Sequence, residues 1–344
     1  MQKLLVGLDI GTQTIKAVQM SREKNRNQLL AAGYIPTPTK VTSLNSKNSN
    51  NDQIMADSIN RLVHDMKIST SDVSASLPSA NVITRVLELP LMSDSELASS
   101  IQWEAEQYIP MPLSKVKLDF TVINRDEQTT KMKLLLIAAP IDLIEKYMHI
   151  ITLAGLNPTA LETEILAASR SITTSFPTLS QAMVISCGAT TTEVALLHEQ
   201  MLVYTKSIPL GGNTLTRAIA EELGFEFPQA EEYKKTYGLD EDKLEGKIAK
   251  SIAPYFTSLY SEIEKNIAYF KEQYPKDEIT NLTICGGGAK LPGLVLAFTK
   301  NLGLDSQISN PFINLTIDPN ILPSLSPDAP VYTQAIGLAL KDVE

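Results

Sequence analysis

"GLDIGTQTIKAVQM", residues 7–20, sets a Gly-led, hydroxyl-rich break between two apolar runs almost at the start of the chain. The flanking runs have strand character, so the segment predicts a β-hairpin over 4–8 and 15–20. An ordinary hairpin needs only Asn-Gly or Asp-Gly at its tip. Here Gly11, Thr12, Gln13 and Thr14 make a longer turn, with Asp9 before it and Lys16 after it. A tight bend of this kind leaves several backbone N–H groups unpaired and convergent, which is an anion nest. The turn itself reads as a holder of something negatively charged.

The theme returns in the second half. "AMVISCGATTTEVALLHEQMLVYTKSIPL", 182–210, is again strand, small hydroxyl-rich turn and strand, followed by a third strand. Gly188, Ala189, Thr190 and Thr192 form the second turn. Gly211 and Gly212 then lead into a helix with Leu215, Ile219 and Leu223 on one face and Gly224 at its end. Pro228 opens another helix, closed by Gly238. Aromatic and aliphatic residues at three- and four-residue steps from Phe256 to Tyr274 predict a long amphipathic helix over 254–274, its stripe a packing face. "NLTICGGGAKLPGL", 281–294, gives strand, triple Gly and helix. Two hairpins of one design predict a duplicated α/β body.

Between the hairpins, the polar stretch 36–52 reads as a surface loop and 52–66 as a helix. "VSASLP" and "ITRVLELP" read as strands. Ser93 and Glu96 make a capping-box pattern for a helix with Leu97, Ile101, Ala105 and Tyr108 along one face. "KLDFTVI" and "KMKLLLIAAP" follow as strands, and 141–153 as a helix. Residues 76–153 are therefore expected to form a compact α+β insert. The first lobe takes 1–75, 154–180 and 326–344; the second takes 181–325, with a subdomain at about 213–275.

With 344 residues, 43% hydrophobic and 20% charged, the chain has the composition of a globular protein of more than one domain. Its net charge of -9 argues against sequence-independent nucleic-acid binding. No apolar run is long enough to span a membrane, and the first residues lack a signal-peptide pattern, so a cytoplasmic location is expected. Cys187 and Cys285 make no disulfide framework or zinc motif, and His64, His149 and His198 have no ligand spacing. Neither a P-loop nor a G-x-G-x-x-G motif is present. A nucleotide would have to be held another way. Two facing nests suit the β- and γ-phosphates, and Asp9 suits a hydrated Mg²⁺. Gly286, Gly287 and Gly288 would let an adenine approach the backbone.

That order of loops resembles the actin/Hsp70/hexokinase superfamily, a bilobal, ribonuclease H-like, duplicated α/β fold. "DIGTQTIK" resembles its first phosphate loop, which implies Asp9 as the metal-side acid and Lys16 as a phosphate-directed cation. "SCGATTT" resembles the second phosphate loop, centred on Gly188. "CGGGAKLPGL" resembles the adenosine loop, with Lys290 inside it. "AEEYK" resembles an Ala-Glu-x-x-Lys signature of the FtsA and MreB branch, which implies Glu231 and Lys234 near the ribose and base. "ETEILAAS" resembles the helix whose acid polarises the attacking water, making Glu164 the catalytic candidate.

Two longer stretches, 76–120 ("SLPSANVITRVLELPLMSDSELASSIQWEAEQYIPMPLSKVKLDF") and 208–239 ("IPLGGNTLTRAIAEELGFEFPQAEEYKKTYGL"), resemble the PilM family of type IV pilus assembly proteins. The resemblance implies an FtsA-type inserted subdomain, bound ATP or ADP with Mg²⁺, and a place on the cytoplasmic face of the inner membrane. It also implies docking of the N-terminal cytoplasmic tail of a PilN-like inner-membrane protein, contacts with other pilus assembly proteins, and scope for self-association. The tail's groove is expected between the insert and the rest of the first lobe, near 82–89, 118–123 and the helix bearing Trp103 and Tyr108. Trp103 reads either as part of that groove or as core. One departure stands out: the second phosphate loop of the superfamily usually opens with Asp, and here the position is Ser186, which implies weak or no ATP hydrolysis. The alternatives are a filament-forming division protein like FtsA, a small-molecule kinase of the hexokinase type, and an α/β body without nucleotide. The ending "AIGLALKDVE" carries no basic amphipathic membrane helix, which weighs against the first.

Overall fold

The computed structural model describes residues 3–23, 26–38 and 49–341. Residues 39–48 of the loop expected at 36–52 lie outside them.

The opening hairpin is β1 (Lys3–Ile10) and β2 (Thr14–Glu23), antiparallel, with Asp9 opposite Lys16. A third strand not read from the sequence, β3 (Arg26–Pro36), runs back along β2. Its "NQLLAAGY" stretch lacks clean polar–apolar alternation, so pairing with β2 and not local pattern makes it a strand. Helix α1 (Ser49–Asp65) returns the chain to β4 (Asp72–Leu77), parallel to β1.

The insert follows. Strands β5 (Ile83–Pro90), β6 (Val116–Asp126) and β7 (Lys131–Pro140) form an antiparallel sheet in the order β5-β7-β6. Helix α2 (Asp94–Glu106) covers one face of it, burying Leu97, Ile101 and Ala105 against Leu87, Leu134 and Leu136. Its expected capping box is present: Ser93 and Glu96 satisfy each other's backbone N–H. Tyr108, expected on the buried face, lies beyond the helix end and is exposed; Ile109 takes the buried position. Trp103 is 75% exposed and is not core.

The next helix, α3 (Ile141–Leu153), spans the expected residues but packs elsewhere. Leu143, Tyr147, Ile150 and Ile151 join Val6, Leu8 and Ile59 in the core under the first sheet, not the core of the three-stranded sheet. Strand β8 (Asn157–Thr163) completes that sheet beside β4, and α4 (Glu164–Ser175) leaves its end. The sheet order is β3-β2-β1-β4-β8.

The second lobe repeats it. Strands β9 (Gln181–Cys187), β10 (Thr192–His198) and β11 (Met201–Ile208) are antiparallel. Helices α5 (Gly212–Leu223), α6 (Phe227–Tyr237) and α7 (Lys247–Gln273) come next. Helix α7 begins well before the aromatic stripe implied and runs through Pro254. Strand β12 (Asn281–Cys285) pairs parallel with β9, and after α8 (Leu294–Leu302) comes β13 (Asp305–Ile308), parallel to β12. The order β11-β10-β9-β12-β13 reproduces the first sheet strand for strand and direction for direction. After the short α9 (Leu322–Leu325), the chain returns to the first lobe as α10 (Thr333–Ala339), where Ile336 packs against Val18 and Met20 of β2.

Helix α4 lies between the halves. Its Ile165, Ala168 and Ile172 share a core with Val184 of β9, Ala195 of β10 and Leu135 of the insert. Among the described residues, no helix is long and apolar enough to cross a membrane.

Candidate functional site

A cleft of about 800 Å³ opens between the two sheets, within the range of small-molecule sites. The first lobe contributes Asp9, Gly11, Thr12, Gln13, Thr14 and Lys16. The second contributes Gly188, Ala189, Thr190, Thr192, Gly211 and Gly212 from one turn region, with Glu231 and Lys234 from α6. Gly286, Gly287, Gly288 and Lys290 line it after β12, and Glu164 after β8. Every residue expected from the sequence at the nucleotide site borders this one space.

Duplication explains how the turns face each other. Gly11 N–H donates to Thr14 O at 3.1 Å, and Gly188 N–H donates to Thr191 O at 2.9 Å, so both bends close in the same way. The second is pinned further by Gly212 N–H to Gly188 O at 3.0 Å and Asn213 N–H to Ala189 O at 2.8 Å. Gly211 has to be glycine there, because a Cβ would fall 2.6 Å from the carbonyl carbon of Thr190.

The triple glycine serves two purposes, where the sequence suggested one. A Cβ on Gly286 would meet the Cys187 carbonyl oxygen at 2.7 Å, and one on Gly288 would meet Cys187 Cβ at 2.6 Å. Those two let the chain pass β9. Gly287 alone has nothing within 4 Å of its missing Cβ and faces open space in the cleft.

The lysines are more committed than their sequence roles implied. Lys234 is buried and spends its donors on Gly212 O at 2.9 Å, Thr216 Oγ1 at 2.8 Å and Glu231 Oε2 at 2.6 Å. It acts as a strut that fixes the Gly211-Gly212 turn. Lys290 pairs with Asp328. Lys16 Nζ lies 2.7 Å from Asp9 Oδ2, while Ser76 donates to Asp9 Oδ1 at 2.9 Å.

Glu164 opens α4 beside this pair. Burial, then the charges of Asp9 and Glu193, push its carboxyl up to about 8. Glu193 was not singled out from the sequence. It sits on β10, is 3% exposed, borders the cleft, and accepts from Ser207 Oγ at 2.7 Å; burial raises its pKa. The signal that would have found it is the strand register, since Ser186 pairs with Glu193 where Asp9 pairs with Lys16. Ser186 is buried and accepts from Gln334 Nε2 at 2.7 Å.

These groups fit a nucleotide with a divalent cation. The bends supply backbone donors, Gly287 leaves room for a flat ring, and Asp9, paired with Lys16, lines the same cleft as Glu164 and Glu193. Mg²⁺ needs only one or two carboxylates beside its waters and a ligand's phosphates. Asp9 is the side chain best placed to serve as one.

The chain shares its architecture with solved structures. A chain of a PilM-PilN type IV pilus biogenesis complex superposes with a TM-score of 0.85 at 26% identity, over 99% of this chain and 98% of that one. The ethanolamine utilization protein EutJ from Carboxydothermus hydrogenoformans gives 0.58 at 17% identity, over 98% and 89% of the two chains. MreB 5 of Spiroplasma citri bound to AMPPNP gives 0.53 at 14%, over 97% and 94%. The last two likenesses bear on fold alone, and together the three establish the bilobal actin-like fold. The family described as type IV pilus assembly protein PilM matches residues 7–343, nearly the whole chain, and to that family this chain belongs.

Proposed function

We propose that this actin-like member of the type IV pilus assembly family is a nucleotide-binding scaffold. It takes ATP or ADP with Mg²⁺ in the interlobe cleft and docks the N-terminal cytoplasmic tail of a PilN-like inner-membrane protein. One observation carries the nucleotide reading: two equivalent backbone nests, Gly11–Thr14 and Gly188–Thr191, line a single cleft with the open Gly287 position. Nests bind phosphate oxygens, and an exposed glycine admits a base.

In this reading the turns bind the β- and γ-phosphates, and Lys234 holds the second turn rigid. Glu231 faces the ribose. Asp9 carries the cation's water shell, and the cation when bound offsets phosphate charge. Glu164 orients water near the terminal phosphate. Hydrolysis is weak, because Ser186 brings no charge to the site.

The partner reading is supported by the likeness to a chain solved in a PilM-PilN complex. It places this protein peripherally on the cytoplasmic face of the inner membrane, held there by its partner, with the insert as the docking unit. The test is direct. The purified chain is denatured, and the released small molecules are separated by ion-exchange chromatography. ATP or ADP near one equivalent is expected. No nucleotide, together with no thermal response to added Mg·ATP, sinks the reading.

A further inference from the structure

The two hairpins match in backbone but not in charge. In the first, the acid stands on the inner strand and the ammonium opposite it: Asp9 on β1, Lys16 on β2. In the second, the inner strand carries Ser186 and the outer strand carries Glu193. The acid has changed strands. It remains on the face shared with the cleft, and its proximity to Glu164 is part of what raises that carboxyl.

A second observation comes from another element. Helix α10 delivers Gln334 to Ser186, and Gln334 is 7% exposed and borders the cleft. Its Nε2 is used on Ser186, but Oε1 finds no hydrogen-bond partner among the described residues. A buried amide oxygen left without a donor costs free energy unless a ligand or water supplies one. Glu164 is electrostatically coupled to Asp9 of the first lobe and to Glu193 of the second, and Asp9 pairs with Lys16, so acids of both lobes border the same part of the cleft.

We propose that Glu193 and Gln334 form the second-lobe half of the cation site, the negative charge having moved one strand across from the serine at 186. Glu193 supplies the charge. Gln334 Oε1 accepts a hydrogen bond from a cation-bound water and is held in place by Ser186. The inference rests on the nucleotide reading of the cleft, and its test separates the two.

ATP is titrated calorimetrically into the full chain with Mg²⁺ and with EDTA. Mg²⁺ is expected to tighten binding to the unsubstituted chain. Glu193→Gln is expected to lose about tenfold of that Mg²⁺-dependent gain while still binding ATP in EDTA. Adding Ser186→Asp to the same chain restores much of the gain, because charge returns to the site; a merely structural loss would not respond this way. Gln334→Met, which suits a helix, loses about threefold of the gain. A full Mg²⁺ gain in both folded Glu193→Gln and Gln334→Met overturns the proposal and leaves the nucleotide reading standing. Failure of Ser186→Asp to recover anything overturns the charge relocation. An unsubstituted chain that binds ATP in neither condition overturns both readings.

Discussion

Gly337 of α10 lies so close to α4 that a Cβ added to it would sit 1.8 Å from the carbonyl oxygen of Ala167. On the other side of the same helix, a Cβ on Gly7 of β1 would sit 1.9 Å from Ala335 O. Helix α10 is therefore wedged between a strand that carries Asp9 and a helix that begins with Glu164. Neither neighbour is a flexible side-chain tip that can swing away; both are backbone. Gly337→Ala is expected to destabilise the chain by about 3 kcal/mol, the upper range for overpacking. A melt within a degree of the unsubstituted protein would show that the two helices separate freely.

Gly287 and Gly288 make opposite predictions although they are neighbours. A side chain at 287 enters open space, so Gly287→Leu should fold normally and fill the region assigned to the base. A side chain at 288 strikes Cys187, so Gly288→Ala should lose stability before any ligand is added. Mg·ATP at a hundred times its dissociation constant adds about 2.7 kcal/mol to the unsubstituted chain. That gain should vanish in Gly287→Leu. An undiminished thermal shift in this variant moves the base away from the triple glycine.

Glu164 gives a pH signature when nucleotide and divalent cations are absent. Its carboxyl is raised from 4.5 to about 8, so between those values the folded chain holds a proton that the unfolded chain has released. More protons bound in the folded state means stability falls as pH rises through that window and is flat beyond it. Glu164→Gln carries no such group. It should match the unsubstituted chain near pH 4 and exceed it by about 2 kcal/mol at pH 8.5, a figure reduced from the full shift because the carboxyl borders the open cleft. Thermal melts in EDTA across that range test this. A difference that does not grow with pH removes the buried-carboxyl explanation.

Much of the site was legible in the sequence because its chemistry is local. A Gly-and-hydroxyl turn fixes its own backbone, and both phosphate-type bends and the triple glycine stand where their residues implied. What escaped depends on pairing between distant segments. Strand β3 becomes a strand by lying against β2, and α3 belongs to the first-lobe core through Tyr147 and Ile151, which no local pattern announces. Glu193 and Gln334 escaped for the same reason: one needs the β9–β10 register and the other the return of α10. Trp103 was ambiguous because α2 is short and sparsely apolar, so neighbouring faces compete for the core.

Turnover should be close to background. Ser186 brings no charge to the second bend, and its hydroxyl accepts from Gln334. Phosphate release is measured with the purified chain at saturating Mg·ATP. Ser186→Asp should raise the rate if a charge at that position is what hydrolysis lacks. A steady-state rate in the unsubstituted chain as high as in the aspartate variant would show that serine already suffices.

The docking prediction has to respect how the insert is anchored. Deleting 76–153 would remove Leu143, Tyr147, Ile150 and Ile151 from the first-lobe core, and Leu135 from the core it shares with α4 and the second sheet. Lost binding in such a deletion would report collapse, not docking. Surface variants avoid this. Trp103 is the chain's only tryptophan and is 75% exposed, on a helix whose other side is buried. Replacing it removes contact area without opening a cavity. A synthetic peptide copying the N-terminal cytoplasmic tail of a PilN-like protein should bind the intact chain and shift Trp103 emission to the blue as water leaves the ring. Trp103→Ala should weaken binding by about tenfold or more, as expected for an aromatic anchor. Binding seen by calorimetry with unchanged emission, and with Trp103→Ala at full affinity, would place the tail on another face of the insert or on the second lobe.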